Sequence, residues 1–259
     1  MSANNFKDSV ADDKITFRMA AEIFLVIFLF VFFLKSVVLD FFVVSSSSME
    51  PVLQKKDLIL VSRLAYYIGF ADKLPIFGIE APANWKARFK SPKAGEIVFF
   101  LNTFIALKNY PENYIIKRVK LVPGDLIYYN EGKLGNLNFS KSKPDMFQSE
   151  YHSIKIPYKL QNINLNSENI KFYKHIIENE GNKVLIDGDS ILINNIITKN
   201  YTFTQNHYYL EGDNSYHSFD SRIYGLVPET AIQGKALFIF WSGSSAKTSF
   251  FDRFISWIE

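Results

Sequence analysis

The 259-residue chain sets 29 basic against 26 acidic residues for a net charge of +3, and it has no basic patch interleaved with aromatics, so no nucleic-acid partner is expected. With no cysteine, disulfides, thiol nucleophiles and Cys-ligated metals are excluded and the redox compartment stays undecided. The four histidines, His152, His175, His207 and His217, lack metal-ligand spacing such as HExxH.

In chain order, residues 1–18 are polar and mixed in charge, and are expected to form an unstructured cytoplasmic tail. Next comes "FRMAAEIFLVIFLFVFFLKSVVLDFF", in which Met19 to Leu34 is apolar except for Glu22. A spanning helix needs about 20 apolar residues. This run reaches that length by continuing past Lys35, whose stem can snorkel, into "SVVL". A cleavable signal peptide would show a small-x-small cleavage site, and none follows. The segment therefore reads as a transmembrane signal anchor over 19–39. Lys7, Lys14 and Arg18 precede it and Lys35 follows, which favours a cytoplasmic N-terminus.

Beyond the anchor the chain reads as strands: "DLILVSRLAYY", "GEIVFFL", "NYIIKRVKLV", "LIYYN", "KVLIDGDSILIN", "HYYLEGDN" and "KALFIFWS". No long amphipathic helix is expected among them. The fold class is mainly β: an N-terminal transmembrane helix, then an antiparallel-β catalytic domain with a second β subdomain. The core occupies 40–129 and 207–259, and the Asn-, Lys- and Ser-rich stretch 130–206 reads as a variable β insertion. In the tail "SFFDRFISWIE", Phe250, Phe251, Phe254, Ile255 and Ile258 fall at helical spacing, as in a packed terminal helix or one lying on lipid.

Three segments carry possible chemistry. In "NYIIKRVKLVPGD", period two places Lys117 with Ile115, Val119 and Leu121, one charge on an aliphatic face. An amine held there is penalised for its charge, which depresses its pKa and suits it as a general base. The competing reading is a lysine that snorkels to water. The tract Ser45–Ser48 has the composition of a flexible linker. Yet it lies between apolar "FFVV" and "MEPVL", and Pro51 constrains the backbone just after it. In "EGDNSYHSFDSR", a calcium loop starting at Asp213 fails, because Ser218 and Tyr224 stand where Gly and Glu are needed.

In this order, behind an anchor, these segments resemble the type I signal peptidases, the membrane-anchored Ser/Lys leader peptidases of bacteria. The resemblance rests on Ser-Met-x-Pro, "DLILVSRLAY", "GEIVFF", "IIKRV…PGD" and "GDN…SFDSR…GLVPE". It implies that Ser48 is the nucleophile and Lys117 the general base. Ser46 would give an oxyanion-hole donor beside the Ser48 N–H, and Ser218 would hydrogen-bond the lysine amine. Asp220 and Arg222 would be structural partners near the site, and Val44, Met49, Leu53, Ile115 and Ile116 would wall the substrate pocket. It further implies no metal or cofactor, and signal peptides of exported preproteins, with small residues at −1 and −3, as substrates. Membrane lipid and a nearby secretion translocon would be partners, and the location a bacterial inner membrane with the catalytic domain on the outer face.

Some positions depart from the family pattern. Ser45 and Ser47 stand where it has Pro and Gly, Val52 where it has Thr, Ile115 where it has Tyr and Leu121 where it has Gly. "GDNSYHS" replaces "GDNRDNS". A related Ser/Lys pilin or conjugation peptidase, and a non-catalytic membrane-anchored β-rich binding protein, remain as alternatives.

Overall fold

Neither glycine nor proline occurs before Pro51, so nothing in the early backbone breaks a helix. The computed structural model describes residues 2–69, 86–102, 114–131, 137–140, 152–188, 190–243 and 253–258. Helix α1 runs over Ser2–Phe33 and continues as a π-helical turn at Leu34–Val38. Within it, Phe17–Val38 is a stretch of 22 residues long and apolar enough to cross a membrane, with mean hydropathy 2.5 and little of it covered by the rest of the protein. Two expectations are corrected here. Residues 2–18 are helical rather than unstructured, and Leu39, expected at the end of the span, already belongs to the first strand.

The main sheet has eight strands: β1 (Leu39–Val43), β2 (Asp57–Ser62), β3 (Ile97–Leu101), β4 (Tyr114–Leu121), β5 (His207–Glu211), β6 (Val227–Pro228), β7 (Ile232–Ser242) and β8 (Ser256–Trp257). Their order is β1-β2-β7-β3-β4-β5-β6, with β8 also on β7, and every pairing is antiparallel. The long strand β7 joins two halves. It pairs with β3 through Ile232–Lys235 and with β2 through Lys235–Ser242, with register shifts along both pairings. Such bulges bend and twist a strand, and the sheet curls around them. At Gly234 a Cβ would meet Val61 Cγ1 at 2.7 Å and Ser62 O at 2.8 Å, so this bend requires glycine.

Both faces of the central strands are buried. Along β3, Ile97 and Phe99 join a core with Ile59, Val61, Met49 and Ile116, while Val98 and Phe100 join one with Tyr66, Tyr208, Leu210 and Val119. The span is packed onto the sheet without a tether. Ser36 and Val37 are buried, the Arg63 N–H donates to the Val38 carbonyl at 2.9 Å, and the buried Arg63 guanidinium pairs with Asp40 at 2.6 Å.

Between β4 and β5 a third core forms around helix α2 (Ile170–Asn179), which buries Ile170, Phe172, Tyr173, Ile176 and Ile177. This helix corrects the expectation of an all-strand insertion. Its apolar residues recur at near-helical spacing, but Asn-rich flanks on either side read as loop. The stretch "KVLIDGDSILIN", expected to be strand, folds back on itself as a pair, Val184–Asp187 against Ser190–Ile193. Residues 132–136, 141–151 and 189 of the insertion lie outside the described residues. So do Phe250 and Phe251 of the tail, whose described part passes from a 3-10 turn at Arg253 into extended chain. Ile255 takes φ 51°, and Ser256–Trp257 pairs with Phe238–Ile239 as a strand, Trp257 meeting Phe238 edge to face.

His207 opens β5, buried against Phe203. Burial pushes its imidazole down to about 4, opposed only weakly by the Gln205 backbone, which gives neither ring nitrogen a hydrogen bond of good geometry. The unfolded chain, with an ordinary histidine near 6.5, therefore binds the extra proton between these values. Stability from this group is complete above about pH 6.5 and is lost as pH falls towards 4, by about 3 kcal/mol in all. Denaturant titrations of the detergent-solubilised protein at pH 7 and pH 4.5 should show this loss, and the His207→Phe variant should show a markedly smaller one.

Candidate active site

The serine tract lies in the connection between β1 and β2, and that connection is closed at its base. The Val44 N–H donates to the Asp57 carbonyl at 2.8 Å and the Lys56 N–H to the Val44 carbonyl at 2.7 Å. Asp57, fully buried, accepts the Gln54 N–H, the Ser242 hydroxyl and the Arg253 guanidinium, which also reaches the Val52 carbonyl. After Ser48 the chain winds into turns, Glu50 N–H to Ser47 O at 3.1 Å and Leu53 N–H to Met49 O at 2.9 Å, with Met49 and Leu53 as buried anchors. A segment held at so many points is not a tether.

This frame brings Ser48 Oγ to 2.6 Å from Lys117 Nζ on β4. Lys117 is only 3% exposed and Ser48 5%, so the lysine does not snorkel to water. It follows Ile115 on β4 and precedes Val119, both core residues, with Val98 of β3 opposite it. Ser46 Oγ lies 3.1 Å from Ser48 Oγ. The three side chains open on a cleft whose walls include Val44, Met49, Ile115 and Ile116. Leu53 lies in the core beneath rather than on the wall. Three aromatic residues not expected from the sequence, Phe42, Tyr114 and Phe219, also line the cleft. Tyr114 stacks on Phe99 with ring centroids 4.5 Å apart, and Phe42 meets the same ring edge-on at 4.9 Å. No local spacing marks them in the sequence: Phe42 is on β1, Tyr114 on β4 and Phe219 follows β5, so only the fold brings them together.

The segment after β5 grips the serine loop from the other side. At Gly212 a Cβ would meet Ser218 Oγ at 2.3 Å and the Ser48 carbonyl at 2.4 Å. The Asn214 N–H donates to Ser48 O at 3.0 Å, and Asn214 Nδ2 to Ser47 O at 3.2 Å. Between them, Asp213 takes a bidentate pair of bonds from Arg118, Nε and Nη2 each at 2.8 Å. Arg118 is the chain neighbour of Lys117, so one strand positions the amine and the clamp together. Gly212, Asp213 and Asn214 form the "GDN" of the motif read in the sequence, but the sequence assigns none of them a role in the site.

Asp220 and Arg222 form the buttress below. Burial alone would raise the Asp220 pKa, but Arg222, the Ser218 hydroxyl and the Gly212 N–H together hold it below the ordinary carboxylate value. Asp220 Oδ2 accepts the Gly212 N–H at 3.0 Å and the Arg222 guanidinium at 2.8 Å. Ser218 Oγ is enclosed and close enough to Asp220 to favour its charge, but forms no hydrogen bond of standard geometry. The bond expected from Ser218 to the lysine amine is therefore not made in this structure. Among the described residues, no three His, Asp or Glu side chains converge where they could share a metal ion.

Residues 17–241 match the family described as signal peptidase, peptidase S26. The chain belongs to this family. It is similar to the signal peptidase I of Buchnera aphidicola subsp. Acyrthosiphon pisum, 30% identical with 92% of this chain and 81% of the relative covered. It also resembles those of Pseudomonas aeruginosa, at 28% identity with 83% and 69% covered, and Aquifex aeolicus, at 26% with 87% and 84% covered. The chain is a membrane-anchored serine endopeptidase of the signal-peptidase type. In such a peptidase, Gly212 is where its clamp has least room. The Gly212→Ala variant should push the Ser48 carbonyl or Ser218 aside and lower signal-peptide cleavage on the order of a hundredfold, the scale of an ångström misplacement. A gel-based cleavage assay at matched protein concentration checks it.

Proposed function

We propose that this peptidase removes signal peptides from exported preproteins by acyl transfer, with Ser48 as nucleophile and Lys117 as general base. The observation that carries this reading is the buried Ser48–Lys117 pair at 2.6 Å, opening on an apolar cleft. Burial disfavours a charged amine, and a neutral amine can take the hydroxyl proton.

In the first half-reaction Ser48 Oγ adds to the scissile carbonyl as its proton passes to Lys117 Nζ. The negative oxygen is held by the Ser48 N–H and the Ser46 hydroxyl. The C–N bond then breaks, Lys117 returns the proton to the leaving amine, and an ester to Ser48 remains. In the second, Lys117 takes a proton from water as it attacks the ester, then returns it to Ser48 Oγ as the cut signal peptide departs. Val44, Met49, Ile115 and Ile116 supply aliphatic walls that admit Ala-sized side chains and exclude bulk, with Leu53 supporting them from beneath. This suits cleavage after Ala-x-Ala, the substrate bound extended by main-chain hydrogen bonds. Asp220 and Arg222 brace the clamp segment, and Ser218, which lies beside Asp220, is the hydroxyl this reading assigns to the lysine amine.

The catalytic core in this reading comprises residues 40–129 and 207–259, with 130–206 as an insertion. Lys7, Lys14 and Arg18 before the apolar run Met19–Leu34, against Lys35 after it, support a cytoplasmic N-terminus. The catalytic core would then face outward from a bacterial inner membrane, among lipid and near the secretion translocon that delivers its substrates.

Ser48→Ala and Lys117→Ala should each abolish cleavage of a preprotein with Ala-x-Ala before its cut site, while the thermal midpoint stays near that of the parent protein. Cleavage retained by Lys117→Ala would remove the dyad from consideration. Ser46→Ala should lower kcat by about 10²- to 10³-fold, the usual effect of one oxyanion donor, with little change in KM.

A further inference from the structure

We infer that Asn214 is a positioning residue that aims the Ser48 N–H at the reacting oxygen; this rests on Ser48 being the nucleophile. In a trans peptide the carbonyl and the N–H of one plane point in opposite directions, and the Ser47–Ser48 bond is trans. Whatever holds the Ser47 carbonyl therefore fixes the direction of the Ser48 N–H. Asn214 Nδ2 holds it from across the sheet, donating to Ser47 O at 3.2 Å, beside the turn bond from the Glu50 N–H at 3.1 Å. The next plane is fixed from the same residue, since the Asn214 N–H donates to Ser48 O at 3.0 Å. One asparagine thus brackets the nucleophile on both sides.

The rest of the site fits an oriented donor. Among the described residues no acceptor takes the Ser48 N–H, which leaves it for a substrate oxygen. Asn214 Oδ1 faces His217 Nδ1 at 3.4 Å, which turns the amide so that its NH2 end meets the loop. The segment itself cannot drift, because Arg118 grips Asp213 with two bonds and Asp220 accepts the Gly212 N–H. A hydrogen bond to the carbonyl also polarises its own peptide, making the N–H at the other end a stronger donor. The requirement is acute in this chain, where Ser47 precedes the nucleophile and the loop's backbone carries a side chain at every position from Val44 to Glu50. Only a donor that is fixed before reaction stabilises the developing charge without reorganisation.

The test compares full-length, detergent-solubilised protein carrying Asn214→Ala or Asn214→Asp with the parent. The substrate is a peptide containing Ala-x-Ala. A matched peptide aldehyde serves as probe, since Ser48 Oγ adds to its carbonyl and leaves an oxygen in the oxyanion position. Asn214→Ala should lower kcat about 10- to 100-fold with KM within twofold, and weaken the aldehyde by a similar factor, at an unchanged thermal midpoint. Asn214→Asp keeps the shape but puts an acceptor against the Ser47 carbonyl, so it should lose at least as much and decides the matter if the alanine variant folds poorly. The inference is overturned if a variant with the parent's midpoint keeps kcat, if aldehyde affinity does not follow kcat, if the loss comes with a raised KM, or if both variants lose activity only with a lowered midpoint. Parent-like Asn214 variants beside an inactive Ser48→Ala protein overturn this inference alone. Cleavage by Ser48→Ala overturns the dyad and this inference with it.

Discussion

A hydroxyl and an amine 2.6 Å apart in this protein belong to residues separated by 69 positions in the chain, and the sheet exists in the form it does to keep them together. Lys117 sits on β4, while the serine loop hangs between β1 and β2 at the other end of the strand order. The distance is bridged by β7, which carries β3 and β4 on one edge and β2 on the other. A slip of one residue anywhere along this series would turn Lys117 to the opposite face. Register is protected where it matters, by interlocking cores on both faces of β3 and by the glycine approach of Gly234 to Val61 and Ser62.

Within that frame the serine loop is fixed from three directions. Its base is closed by backbone bonds between Val44, Lys56 and Asp57. Its far side is anchored through Asp57 to Ser242 and Arg253, from the last part of the chain. Its near side is held by Gly212 and Asn214. Buried charges in this arrangement are paired and hydrogen-bonded, as burial requires. Asp57 and Asp213 meet arginines, and Asp220 meets Arg222 and a backbone N–H.

The sequence made some of this legible and hid the rest for physical reasons. The span, the mainly antiparallel class and most core strands follow from local hydrophobic period, which needs only neighbours in sequence. Lys117 on an aliphatic face is likewise a period-two observation. The clamp was not legible in that way. The roles of Gly212, Asp213 and Asn214 depend on what they meet across the sheet, and no spacing rule gives the distance from Asn214 to Ser47. Helix α2 was missed because its apolar residues are diluted by polar flanks and its stability comes from the core it covers. The tail misled in the opposite sense: Phe254, Ile255 and Ile258 fit a helical period, yet pairing with β7 won over that local preference. The pairing of Ser218 with the lysine is another expectation that the resting geometry does not meet, because the hydroxyl lies beside Asp220.

The absence of any linker between the span and the sheet has a mechanical consequence. The helix passes through one π-helical turn directly into β1, with Val38 bonded to Arg63 and Asp40 paired to the same arginine. At about 3.3 Å per residue, β1 from Leu39 to Val43 carries the chain only about 17 Å before the loop that holds Ser48 begins. Helix, π-turn and first strand are therefore joined as one lever. Any tilt or shift of the helix end is passed on to the base of the serine loop, with no slack in the chain to absorb it.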